Sequence, residues 1–494
     1  MLNIMSLDVT VLSNRVACRT AQAKEIYLAS FDSINAKNFP SLANRRKEFL
    51  YEQLNAASKL DADIPLRPEE LGQWVERGVR HVGDEYRQYL SARKAGEPRR
   101  YFTTKAHALY FLKAVAPTKM VDGAWLYGMV QLWDDARFAA LIQTYIEELG
   151  EGIADKNHVL IYKKLLASHG CEQWQSLDSS YYLQGAIQLA LAHHADEFLP
   201  EIIGFNLGYE QLPLHLLITA YELNELGIDP YYFTLHVTVD NAAAGHAKKA
   251  VQAVFDAMPK IANRAAFYQR VINGYRLNLL GMGTTAAIAG FDLEQELIAI
   301  LESKCSTGAQ LHSDYCRVAG KTVNQWLSDP SQLPLFLDSL RELGWIRRYE
   351  APENSRFWKL IEGEHSEMFG VFNAYEKQVI HDWILGDAAK AQAPRRLSYK
   401  ARHRMMDTLA PGLQSPSHQH AERPIIRDHG SRSIHDNGGH GPYNEELRLL
   451  EERLAGFGSK REAMSYLIDL MAPGMHHAPA GLMATRVFTQ LLRN

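Results

Sequence analysis

Apolar residues recur three and four positions apart through most of the first 310 residues, as in the stretches from Thr104 to Ala116 and from Tyr181 to Leu199. That spacing puts them on one stripe of a helix, not on one face of a strand, so the chain is predicted to be mostly α. Breaks at Gly96–Pro98, Gly150–Gly152, Gly204 and Gly227–Pro230 cut the stretch into helices long enough to cross a bundle. Four regions follow. A helical extension covers 1–96, with a joint at Ile64-Pro65, and a helical core covers 97–303. A small α/β appendage takes 304–393, and a loop with C-terminal helices takes 394–494. In the appendage, helices over 319–327 and 334–345 are expected to precede β-prone segments over 346–352 and 355–361. The last region starts with basic residues such as Arg395 and Arg396. It continues as a loop rich in Ser, Pro, Gly and His and ends in two amphipathic helices.

Charge and cysteine usage narrow the function classes. Lys and Arg number 53 against 57 Asp and Glu, a net charge of −4, so no global positive field gathers nucleic acid or anionic lipid. The four cysteines form no CxxC pair, which argues against a disulfide framework or a structural zinc site. No apolar run is long enough to span a bilayer and no signal-peptide pattern opens the chain, so a cytoplasmic protein is expected. Walker, GxGxxG and GxSxG motifs are absent.

Potential ligands gather in two places. In the segment from Tyr232 to His246, His236 and Asp240 are four apart and share a helix face. His246 lies six residues further, about 240° round a regular helix, and joins them only if the helix bends, for which Gly245 is suited. The second group is Glu148 and His158, at the end of one helix and the start of the next, with Asn157 as N-cap. Glu147 and Glu151 read as solvated acids. Asp122 is either an N-cap or a third inward carboxylate. Without a ligand, His236 and Asp240 would be a buried hydrogen-bonded pair. Glu210 and Glu222, acids on largely apolar helices, could hydrogen-bond to a ligand histidine, whereas Glu225 is expected at the surface and His215 in the core. Trp125, Tyr127, Tyr231 and Tyr232 are expected in a pocket wall. Oxygen and imidazole donors without thiolate suit iron or manganese.

These residues resemble the haem-oxygenase-like di-iron oxidase superfamily, whose members are often labelled iron-containing redox enzymes. The resemblance runs over roughly residues 100 to 390. It implies a haem-oxygenase-like bundle and metal ligation by Asp122, Glu148, His158, His236, Asp240 and His246. It also implies two Fe(II) ions, with O2 as co-substrate. Asp122 stands where many members have Glu, and the interval of six from Asp240 to His246 is three in others. The activity implied is oxidation of a small organic substrate, such as N-oxygenation or oxidative cleavage of an amino-acid-like amine. An external electron donor is needed, since the chain has no flavin or nicotinamide motif. The expected partners are the substrate, free or carrier-bound, that donor and at most a second copy of the chain, with no nucleic acid and no membrane.

Two other readings stand beside this one. The first is a metal-free or haem-related helical oxidase or binding protein. The second is a non-enzymatic regulator whose appendage forms a winged helix, with Lys321, Arg347 and Arg348 facing DNA.

Overall fold

The computed structural model describes residues 22–31, 40–239, 245–261, 263–363, 366–390 and 442–493. Helices dominate among them, as the apolar spacing predicts. The basic stretch from Arg395, the histidine-rich loop and Asp240 lie outside the described residues.

Helix α1, residues 22–31, and α2, Pro40–Ala57, pack against the core from the N-terminal side. Tyr27 meets Tyr182 edge to face, with ring centres 5.1 Å apart. The long α3, Leu71–Lys94, is mostly exposed but anchored through Tyr89. The centre of the bundle is α4, Lys105–Lys119, buried on nearly every side and capped by the Thr104 hydroxyl. A 3-10 stretch, Ala124–Leu132, follows. The bundle continues with α5, Ala139–Glu148; α6, His158–Ser168; α7, Leu183–Ala192; α8, Ala195–Tyr209; α9, Leu214–Glu225; α10, Tyr231–Val239; α11, His246–Ala257; and α12, Arg264–Arg276, of which α6 and α7 pack on α4 and α11 and α12 on α8.

Gly204 does not end a helix, as the punctuation suggested. It lies inside α8, where a Cβ would stand 1.8 Å from the Val271 carbonyl oxygen of α12. Gly274 of α12 answers it, with a Cβ position 2.1 Å from the Glu201 carbonyl oxygen. Each glycine is there for backbone contact between two helices, a closeness that any side chain would prevent.

The appendage differs from expectation. After α13, Thr284–Ala289, and α14, Leu293–Gly308, its sheet is a single antiparallel pair of two-residue strands, Arg317–Val318 with Lys321–Thr322. Residues 346–351 form no strand, and 356–361 are helical as α17, after α15, Val323–Leu327, and α16, Leu333–Glu342. Trp358 and Ile361, three apart, are the buried residues of α17, so tertiary burial on a helical stripe overrides local β propensity. The winged-helix reading loses its paired wing strands. Helices α18, Ala374–Leu385, and α19, Asp387–Lys390, follow.

At the C-terminal end, α20, Pro442–Ala455, and α21, Lys460–Leu470, are the expected amphipathic pair. A third helix, α22, Pro479–Arg493, was not foreseen and packs on the turn at Gly150–Gly152. No described helix is long and apolar enough to cross a membrane.

Candidate metal centre

The chain leaves α4 at Met120 and turns through Gly123, at φ 77°, into the 3-10 stretch. A Cβ on Gly123 would lie 2.8 Å from the Glu148 Cβ, so the glycine allows this turn to reach α5. Asp122 is not the cap of that stretch. Its carboxylate is buried and turned inward, where Oδ2 accepts from the Tyr232 hydroxyl at 2.5 Å and lies 3.0 Å from His236 Nε2.

Glu148 ends α5 and His158 begins α6. Between them Gly150, Glu151 and Gly152 all have positive φ, at 65°, 53° and 76°, which coils the chain back on itself. Asn157 fixes the return. Its Oδ1 accepts from Leu160 N–H at 3.0 Å, capping α6, while Nδ2 donates to the Leu149 carbonyl at 3.2 Å. His158 Nδ1 then lies 2.6 Å from Glu148 Oε2 and 3.8 Å from Asp122 Oδ2.

His236 sits on α10 with Nδ1 2.8 Å from the Tyr232 carbonyl. A carbonyl only accepts, so Nδ1 carries the hydrogen and Nε2 is the nitrogen left for the interior. Asp122, Glu148, His158 and His236 each offer one donor atom, all within 4.8 Å of one another.

A second group of the same kind comprises Glu148, Glu210 and His246. Glu148 belongs to both. Glu210 stands at the C-terminal cap of α8, and His246 opens α11 directly after Gly245. His246 Nδ1 lies 2.9 Å from Glu210 Oε2 and 3.5 Å from Glu148 Oε1, and its Nε2 lies 2.7 Å from Glu147 Oε2. Glu147 also accepts from Lys249 at 2.6 Å and from Gln143 at 2.9 Å.

The protonation of these groups follows from the pairing. Burial would raise the Asp122 carboxyl, but the Lys119 charge and the His236 hydrogen bond hold it well below the usual carboxylate range. Burial would likewise lower His236, yet the hydrogen bond and charge of Asp122 outweigh it and bring the imidazole up to about 9. Glu147 is pushed up by burial and pulled down further by His246, Lys249 and Gln143, to about 2.

The donors fit a metal. His158 Nδ1 is buried 2.6 Å from Glu148 Oε2 without hydrogen-bond geometry, so among the described residues this nitrogen has no hydrogen-bond partner. No thiolate lies in either group, and nitrogen with oxygen suits iron or manganese.

Several expectations change. Glu222 does not support a ligand histidine. It is fully buried and accepts from the Tyr89 hydroxyl at 2.7 Å and from backbone N–H of Arg100, Tyr101 and Phe102 at 2.6, 3.0 and 2.9 Å, tying the start of the core to α9. Those N–H groups precede α4 and have no carbonyl of their own, so the carboxylate serves them. Glu225 is buried and pairs with Arg93 at 2.5 Å, so it is not at the surface. Tyr231 is exposed, not in a pocket wall. Glu147 proves to be the partner of His246, and Glu210 stands inside the ligand group, not behind it. No local spacing joins Glu147, Glu210 and His246, which lie on three separate elements.

A cavity of about 270 Å³ opens on the site. Asp122, Glu148, Glu210 and His236 form part of its wall, with Lys119 and His215 beside apolar Phe111, Val115, Leu216, Phe233 and Met282. Burial, and then the Lys119 charge, lower His215 to about 4, so its imidazole is neutral at physiological pH. Trp125 also lines the cavity and donates to Asn206 Oδ1 at 3.0 Å.

Residues 109–278 match the model of the family described as iron-containing redox enzyme. The span holds every residue of both ligand groups, in agreement with the resemblance carried by the motifs. An iron-dependent oxidoreductase is the class this match supports. No curated protein and no solved structure matches the chain.

Proposed function

We propose that the chain is a non-haem iron oxidase or oxygenase that holds two ions and uses O2 to oxidise a small organic molecule in the adjoining cavity. The observation that carries this is the sharing of Glu148 between two buried ligand groups. One ion would be held by Asp122, Glu148, His158 and His236, the other by Glu148, Glu210 and His246. Iron bound there would supply the electrons that reduce O2. Three carboxylates offset most of the charge of two divalent ions, so the pair can be buried without a large uncompensated charge.

The chain's own groups do the rest. Tyr232 holds Asp122 by its hydroxyl, and the Tyr232 carbonyl fixes the tautomer of His236. Glu147 takes Nε2–H of His246 and leaves Nδ1 turned to Glu210 and Glu148. Phe111, Val115 and Phe233 keep the cavity wall dry, which limits loss of reactive oxygen species to water. Lys119 and neutral His215 are among the polar groups of the wall that can orient a substrate there. An external donor or the substrate provides electrons between turnovers, and an amino-acid-like amine is the substrate class we put forward.

The test is anaerobic Fe(II) loading followed by O2 exposure. Two irons per chain and stoichiometric O2 uptake are expected. A protein that binds no iron, or that binds it and consumes no O2, would refute the reading.

A further inference from the structure

The turn between Glu148 and His158 is strained. Glu151 is a non-glycine residue at φ 53° between two left-handed glycines, and a Cβ on Gly150 would stand 2.4 Å from the Asn157 backbone nitrogen. Such a conformation persists only where the surroundings impose it. Within the matched span, Asn157 supplies part of that constraint. A further part comes from residues beyond it, at the C-terminal end.

Arg486 of α22 donates Nε–H to the Gly152 carbonyl at 2.9 Å. A Cβ on Gly152 would lie 2.3 Å from the Leu482 carbonyl oxygen, so the turn and α22 touch backbone to backbone. His476, in the loop before α22, is buried with Nδ1 3.0 Å from Asn157 Nδ2. Because Asn157 Oδ1 is occupied by Leu160 N–H, Nδ2 is the donor and His476 Nδ1 the acceptor. The same asparagine therefore caps α6, holds Leu149 and is oriented by His476. On the helix that ends in Glu148, the Tyr145 hydroxyl donates to the Met471 carbonyl at 2.5 Å.

The geometry points to a positioning role for this C-terminal segment: Arg486 and His476 hold the Glu148 to His158 turn in the shape that brings its two donors together. This rests on the metal reading above and makes it unequal. His158 belongs to one ligand group alone, so release of the turn weakens that position first. Glu210 and His246 lie on α8 and α11, where His246 is held by Glu210, Glu147 and Glu148, so the second position keeps these two ligands.

The experiment titrates Co(II) into the metal-free full chain, reading equivalents bound and the visible absorption of each step. Wild type takes up two equivalents. Arg486→Leu and His476→Leu each weaken one step about 10- to 100-fold and spare the other, the size typical of residues that orient ligands. Arg486→Lys, which keeps a donor, and His476→Asn, which keeps an acceptor near Nδ1, restore most of that step. His476→Leu removes no charge and keeps the test decisive where Arg486→Leu does not fold by circular dichroism. Unchanged titrations in both Leu variants, equal weakening of both steps, or no rescue by the conservative variants would each overturn the assignment. A wild-type chain that takes up no Co(II) overturns the metal reading and this inference with it.

Discussion

His236 and His246 each turn one nitrogen to the interior, but the other nitrogen is held in different ways. His236 gives its Nδ1 hydrogen to the carbonyl four residues back in its own helix, while His246 gives Nε2–H to Glu147, a side chain on another helix. Glu147 is 25% exposed and shared with Lys249, itself 28% exposed. One ligand is thus fixed by backbone that cannot leave without unwinding α10, and the other by an ion pair that solvent reaches. A backbone brace resists salt and substitution, and a side-chain brace does not.

The largest effect that could break this comparison is at the residue common to both groups. Glu148→Ala is expected to abolish binding at both positions, so iron per chain measured by mass spectrometry falls close to zero. His158→Ala should remove only the ion it helps to hold, leaving about one iron per chain. A full loss there would show that the positions fill only together. Glu147→Ala is expected to weaken only the other position, by about 10- to 100-fold in a metal titration. Raised salt should mimic it in part by screening Lys249.

The pH dependence sharpens the same contrast. In the metal-free chain His236 is raised to about 9, so its pairing with Asp122 stabilises the fold in full below the ordinary imidazole value of about 6.5 and is lost as pH rises through about 9. A metal must displace that proton. Affinity at the first position should therefore rise about tenfold per pH unit up to about 9 and then level off. Titration calorimetry in buffers of different ionisation enthalpy would count the proton released. The smallest effect on metal is expected from Glu222→Gln, which should leave iron content unchanged. It should instead lower unfolding stability by about 1–3 kcal/mol in urea denaturation, because the N–H groups of Arg100, Tyr101 and Phe102 lose a charged acceptor.

The sequence was most informative where chemistry and local structure coincide. Glycines and an asparagine between Glu148 and His158 mark a tight return and a cap, which is what places the two donors side by side. Gly245 marks where α11 begins, and so how His246 can turn to the interior. Legibility failed where a partner is chosen by packing between distant helices. Nothing near Glu210 announces that the end of α8 meets the start of α11. Glu225 looks like a surface acid until α3 brings Arg93 to it. The β-prone segment at 355–361 became a helix because Trp358 and Ile361 bury together at helical spacing. Asp240, assigned to the ligand set by resemblance, lies outside the described residues.

The interlock of Gly204 with Gly274 has a bearing on the distance between the ions. Helix α8 is capped by Glu210, and its two glycine contacts with α12 stop it from sliding or rolling as a gear tooth stops a wheel. The separation of the two positions is then set about two turns back from Glu210, by residues that are not ligands. Anyone wishing to retune that separation would do better to recut the tooth, with an alanine at Gly204 that forces the α12 backbone away, than to exchange the ligands themselves.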